Sequence, residues 1–254
     1  MNQVKAALQG YEENTQSKVI YACESGSRAY GTNAAWSDFD VRFIYVQPIR
    51  HYLNVNKKKN DSVSARVSPN LELNGWDLFK TMDLFTKSNP SLYEALFSPV
   101  IYLEEKDFSK ELQRLAKSTF SLKTMSYHYL RMVKSNLKMI REKELQPNRY
   151  IKTLLQAIRG IMMMNFINKH QELPPIEFKT LIGECQYLEQ HREEINQLLQ
   201  MKNNLNSDIV YEYQDFILVM EKEMEQYEGE VEYLPVRQMD KQLVNNLIWE
   251  ILEV

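Results

Sequence analysis

Residues 24–46 read ESGSRAYGTNAAWSDFDVRFIYV. Ahead of them, Lys18-Val19-Ile20-Tyr21-Ala22-Cys23 reads as a buried strand, rich in β-branched and aromatic residues. Phe39 to Val46 reads as a second strand, closed by Pro48. Gly26-Ser27 follows the first strand directly, with a short helix-compatible run from Arg28 to Tyr30 behind it. A glycine at such a turn lets a phosphate approach the backbone closely. The N–H groups that open a helix point at an anion, and the Ser27 hydroxyl can add one more hydrogen bond.

Asp38 and Asp40 form the second feature of this stretch. Residues two apart on a strand share a face, so the two carboxylates stand together while Phe39 packs inward. A hard cation relieves their repulsion, and magnesium with octahedral oxygen ligation is the expected occupant, with manganese as the alternative. The chain from Ser27 to Asp38 is long enough to turn back to a neighbouring strand, so that the cradle and the carboxylates face one another. That geometry suits in-line attack on the α-phosphate of a nucleoside triphosphate, with pyrophosphate leaving. Arg28 and Arg42 flank the site as candidate nucleotide contacts. Arg42 shares the face of Asp40, which suits a salt bridge that orients the carboxylates equally well. Taken singly, Gly26-Ser27 is an ordinary turn and the aspartates a solvated strand start. Their coincidence at this spacing, ahead of an apolar strand, favours the chemistry.

Outward from this stretch the chain changes texture. Residues 57–64 form a polar turn region, and Lys57-Lys58-Lys59 reads as a solvated hairpin tip. A third strand is expected at about Leu71 to Leu73. A helix is expected from about Trp76 to Lys87, with Leu78, Met82 and Phe85 on one face, broken by Asn89-Pro90. From Ser109 onward the pattern is nearly all helical, with candidates at 109–118, 121–143, 148–169, 176–203, 207–227 and 237–252. The expected class is α+β: a small mixed twisted sheet with helices over residues 1–105, then a helical domain over 106–254. Lys152 and Arg159 lie seven apart on one predicted helix and so share a face. They are either triphosphate or nucleic-acid contacts or part of a solvated face. Met162-Met163-Met164 with Phe166 reads as core filler. The four histidines have no paired metal-ligand spacing.

Charge and composition restrict the class further. With 31 Lys and Arg against 34 Asp and Glu, the net charge is −3. The bulk signature of a strongly basic nucleic-acid binder is absent. Cys23 and Cys185 form no ligand-spaced cluster and read as reduced, buried thiols. The polar start MNQVKAALQG lacks the apolar run of a signal peptide, and no apolar stretch reaches membrane-spanning length. A cytoplasmic protein that uses no membrane is expected.

Gly-Ser, a spacer and Asp-x-Asp before an apolar strand resemble the signature of the DNA polymerase beta superfamily of nucleotidyltransferases. The fuller string ESGSRAYG…SDFDVRFIYV is similar to one subgroup, which includes the RNA-repair-pathway polymerase-beta-like proteins. The similarity continues in LELNGWDLFK (71–80), NPSLYEALFSPVIY (89–102), RYIKTLLQAIRG (149–160) and ELPPIEF (172–178). It spans roughly residues 20–180.

The resemblance implies a polymerase-beta-like head and magnesium-dependent transfer of a nucleoside monophosphate. It also implies a third carboxylate on a later strand, which matches Glu72. Relatives are expected to carry Asp there, so the chain departs by one methylene in a ligand of the second metal and base for the nucleophile. Asp77 competes for that role but reads more simply as a helix cap. Trp36 stands where relatives tend to be polar or acidic. Lys152 and Arg159 match basic positions of the subgroup. The implied acceptor is an RNA end, tRNA included. The alternatives are a protein hydroxyl, as in nucleotidylation of a toxin, or a nucleotide-binding module with weak catalysis. Helical ribonuclease toxins that partner such domains carry Arg, four residues, then His. No Arg here has His five positions on, so the helical tail is not expected to be such a nuclease.

Overall fold

A computed structural model describes residues 2–55, 61–142, 144–203, 213–237 and 239–254. The Lys57–Lys59 run lies outside them. In chain order the elements are α1 (Asn2–Thr15), β1 (Lys18–Glu24), α2 (Gly26–Ala29), β2 (Phe39–Val46) and α3 (Ile49–Tyr52). They continue with β3 (Ser62–Ser68), β4 (Leu71–Asp77), α4 (Leu78–Thr86), α5 (Pro90–Leu96), β5 (Ile101–Glu104) and α6 (Phe108–Thr119). Then come α7 (Leu122–Glu142), α8 (Pro147–His170), α9 (Phe178–Glu184), α10 (Arg192–Asn203), α11 (Gln214–Glu230) and α12 (Lys241–Leu252). Short 3-10 turns occupy Gln186–His191 and Val231–Tyr233.

The chain divides into two compact units. The first comprises Met1–Tyr30, Trp36–Phe120 and Arg237–Val254; the second comprises Gly31–Ala35 and Ser121–Val236. In the first, five strands form one mixed sheet in the order β3-β4-β2-β1-β5. β2 and β4 are parallel, and the other pairings are antiparallel. The class is α+β, as the sequence leads one to expect.

Alternation decides the two faces of the sheet. Val41, Phe43 and Tyr45 of β2, with Leu71 and Leu73 of β4, point to one side and pack with Val4 and Leu8 of α1. Those two helix residues stand four apart and therefore share a face. Gly75 is what lets Phe43 lie flat: a Cβ there would stand 2.4 Å from the ring's Cζ. The opposite face of β2 and β4 carries Asp40, Arg42, Glu72, Asn74 and Trp76, all half-buried.

Several elements differ from the sequence expectation. β4 continues to Asp77 because Trp76 still pairs with Ile44 and Ser62 on its two sides. The following helix therefore starts at Leu78, capped by Asp77, whose Oδ1 accepts from the Phe79 N–H at 2.9 Å. β3 begins inside the polar turn expected over 57–64 and runs on to Ser68, a strand the sequence does not announce. In the second unit the expected helix over 176–203 is broken. Cys185 takes a non-helical φ of −102° and ψ of 85° two residues after Gly183, and a 3-10 turn separates α9 from α10.

α8 is the centre of the second unit, with α7, α9, α10 and α11 packed on it. Met162, Met163 and Met164 are buried in its core, as their reading as filler requires. Both cysteines are free and buried, and burial pushes each thiol up to about 12. Among the described residues no helix is long and apolar enough to cross a membrane.

Candidate active site

The site begins where β1 leaves the sheet. Ser25 is extended, and Gly26 turns the chain with φ +63°. That left-handed conformation is open to glycine at little cost. The turn is docked on Asp40. The Ser25 N–H donates to the Asp40 carbonyl at 2.7 Å and its hydroxyl at 3.0 Å. A Cβ on Gly26 would stand 2.5 Å from Asp40 Oδ2. Glycine is thus needed twice here, for the turn and for the space that the carboxylate fills.

Ser27 and Arg28 follow in the single turn of α2. Ser27 is half-buried. Arg28 braces the entry to β2. Its Nε lies 3.2 Å from the carbonyls of Ser37 and Asp38, and its Nη2 donates to Ser37 at 2.7 Å. The guanidinium also stands 4.1 Å over the Phe39 ring. These contacts fix the backbone that presents Asp38, a role the sequence reading did not assign to Arg28.

Asp38 is exposed at the step before β2, and Asp40 is half-buried on the strand. Phe39 between them packs against the α1 core, so the aspartates face away from it. Asp40 stands directly beside Glu72 in the parallel β2–β4 register. The sheet therefore places the third expected carboxylate next to the second. Glu72 also faces Arg66 across β3 at 3.7 Å and accepts from Asn74 Nδ2 at 3.1 Å. Among the described residues no three His, Cys, Asp or Glu side chains form a group arranged to hold a metal ion. Asp40 and Glu72 stand side by side on the strands, with Asp38 at the step before β2, and the three do not close into a ligand set.

Arg42 lies 4.1 Å over the Trp76 ring. Burial holds its guanidinium below the usual arginine range, and Asp40 and Glu72 are among the groups that oppose this. Asp77 is 3% exposed. Its Oδ2 accepts from Gln47 Nε2 at 3.0 Å and from the Tyr52 hydroxyl at 2.8 Å. It stands five residues beyond Glu72 and so points to the other face of β4.

Lys152 and Arg159 belong to the second unit. Lys152 is exposed, whereas Arg159 is only 5% exposed inside the helical core. Of the two readings left open for the pair, the solvated face does not extend to Arg159: α8 is enclosed on most sides, and the guanidinium two turns on is covered. In the same unit Lys202 donates to the Thr32 carbonyl at 2.6 Å, and burial lowers its ammonium to about 8, helped by the charge of Lys152.

One acid at the site carries no role in the sequence reading. Glu24, the last residue of β1, is fully buried. Its Oε1 accepts from the Asp40 N–H at 2.8 Å, and its Oε2 accepts from the Tyr102 hydroxyl. Burial raises its carboxyl above the usual range, and those two hydrogen bonds counter the rise. The available signal is an acid that ends an otherwise apolar strand directly before Ser-Gly-Ser.

Residues 1–250 match the family described as the RNA repair pathway DNA polymerase beta family. An uncharacterised protein of Bacillus subtilis, YcgL, is 34% identical over 196 residues, which is 77% of this chain and 74% of that protein. A crystal structure of a nucleotidyltransferase-like protein from Exiguobacterium sibiricum aligns at 12% identity, covering 89% of this chain and 77% of that one, with a TM-score of 0.33.

Proposed function

Because this chain belongs to the RNA repair pathway DNA polymerase beta family and is a nucleotidyltransferase, we propose that it moves a nucleoside monophosphate from a nucleoside triphosphate to an RNA end, a tRNA end included. The observation that carries the reading is the docking of the Gly26 turn on Asp40, with Glu72 beside Asp40 on the next strand.

The donors fit a hard cation, since all three are carboxylate oxygens at accessible or half-buried positions. Asp38, Asp40 and Glu72 would hold magnesium, or manganese in its place. Bound there, the ion supplies neutralisation of phosphate charge. The rest belongs to the chain itself. The Gly26 turn and the Ser27 hydroxyl receive phosphate oxygens, and Arg28 keeps the Asp38 backbone in place. Glu72 accepts the proton of the acceptor hydroxyl as its oxygen bonds to the α-phosphorus. The bond from that phosphorus to the bridging oxygen breaks, and pyrophosphate leaves. Arg42 is the further cation proposed for the triphosphate; the burial of Arg159 favours a structural part for that residue.

Incubation with each α-labelled triphosphate, magnesium and total cell extract tests the acceptor. Label in the RNA fraction is expected, and label confined to protein would overturn the RNA acceptor. Asp38→Asn with Asp40→Asn should lower transfer on the order of a thousandfold while the circular dichroism spectrum is kept. A fully active double variant would sink the reading.

A further inference from the structure

We infer that Glu24 is the positioning residue for Asp40, an inference that rests on the nucleotide-transfer reading of the site. β1 pairs with β2 only as far as Glu24 opposite Val41, and the chain then turns away at Ser25 and Gly26. The strand carbonyl that would have met the Asp40 N–H is gone from that point. A backbone donor left without an acceptor inside a fold is unfavourable. The Glu24 carboxylate supplies the acceptor instead, with Oε1 2.8 Å from the Asp40 nitrogen.

Glu24 is itself held from several directions. Tyr102 of β5 donates to its Oε2. Its N–H donates to the Val100 carbonyl at 2.9 Å, and its carbonyl accepts from the Ser98 hydroxyl at 2.7 Å. The residue is fully buried, so it touches neither nucleotide nor ion and acts only through Asp40. Together with the two Ser25 contacts, it fixes the Asp40 main chain on both its N–H and its carbonyl. The carboxylate of Asp40 is then confined against Gly26. A buried carboxylate is unfavourable unless hydrogen-bonded; here one oxygen is spent on the residue that carries the chemistry.

Three variants and two readouts test this. Glu24→Met keeps the volume and removes the acceptor. Glu24→Gln keeps an acceptor for the Asp40 N–H and lets the Tyr102 hydroxyl accept from the new amide. Tyr102→Phe leaves Glu24 but frees its second oxygen. The readouts are Mn²⁺ affinity, from the electron paramagnetic resonance signal of free Mn²⁺, and amide hydrogen exchange at Asp40 in protein labelled with ¹⁵N-aspartate. Glu24→Met is expected to weaken Mn²⁺ binding about tenfold or more and to speed Asp40 exchange, with Glu24→Gln within about threefold of wild type in both.

A folded Glu24→Met with wild-type affinity and exchange would overturn the inference. So would a Glu24→Gln as impaired as Glu24→Met, since that outcome assigns the effect to charge rather than to the hydrogen bond. Should Glu24→Met not fold, Tyr102→Phe decides: Mn²⁺ affinity and Asp40 exchange both as in the wild type count against it, faster exchange for it. Asp40→Asn is the control. If it leaves Mn²⁺ binding intact, the metal-dependent transfer reading fails, and Asp40 exchange alone then decides the part of Glu24.

Discussion

At the scale of single residues, Gly26 carries the sharpest prediction. Its φ of +63° costs a residue with a side chain about 1–2 kcal/mol, and a Cβ would meet Asp40 Oδ2 at 2.5 Å. Gly26→Ala should therefore displace the Asp40 carboxylate, with nucleotide transfer down about tenfold or more and a small fall in melting temperature, read by a kinetic assay beside a thermal melt. Unchanged transfer would mean that the turn does not set Asp40. Much at this scale is legible without coordinates. Gly-Ser and Asp-x-Asp stand out by spacing alone, whereas Glu72 comes from the family resemblance, since no local pattern records which residue of a parallel neighbour stands beside Asp40. Glu24 is not legible in the same way. Its burial and its bond to Tyr102 depend on β5, 78 residues further on, and no local pattern records such a distance. Arg159 misleads for the same reason, since helical periodicity gives a face but not what covers it.

At the scale of elements, the α7–α8 pair depends on close approach at Gly160. A Cβ there would stand 2.5 Å from Val133 Cγ2 and 2.9 Å from Met132 Cε. Valine has little rotamer freedom with which to yield. Gly160→Ala should thus destabilise the second unit by about 1–3 kcal/mol despite the better helix propensity of alanine, measured as a lower urea midpoint. A higher midpoint would show that the helices can part without loss. Long helices such as α7 and α8 announce themselves by period, and β2 by its β-branched and aromatic residues ending in the apolar run Phe43 to Val46. β3 does not, because its residues are mostly exposed on both faces and burial writes no alternation into Ser62–Ser68. α1 fully buries Val4 and Leu8, with Ala7 and Tyr11 packed beside them, a stripe too thin to stand out against a polar background. The break at Cys185 is not written in the local period: the thiol is buried where the chain leaves the α-helical conformation.

At the scale of the whole molecule, the first unit is discontinuous. α12 packs on α4, buries Val244 and Ile248, and is tied by Lys106 to Glu253 at 2.8 Å. Arg237 adds a bond of 2.8 Å to the Lys117 carbonyl. Each buried aliphatic side chain is worth about 1.5–3 kcal/mol. Deleting residues 237–254 should therefore lower the protection of amide hydrogens in β1, β2 and β4, as measured by exchange mass spectrometry; full protection in the shortened chain would refute this. Nothing in the helical period of 241–252 tells which unit it joins, since any apolar stripe would accept it. The same return has a consequence in time. Residues 121–236 are synthesised between α6 and α12. At about 5–20 residues per second, they occupy the ribosome for roughly 6–23 s. For that interval the sheet and its carboxylates are already made, while the outer side of α4 waits bare for a helix that has not yet been translated.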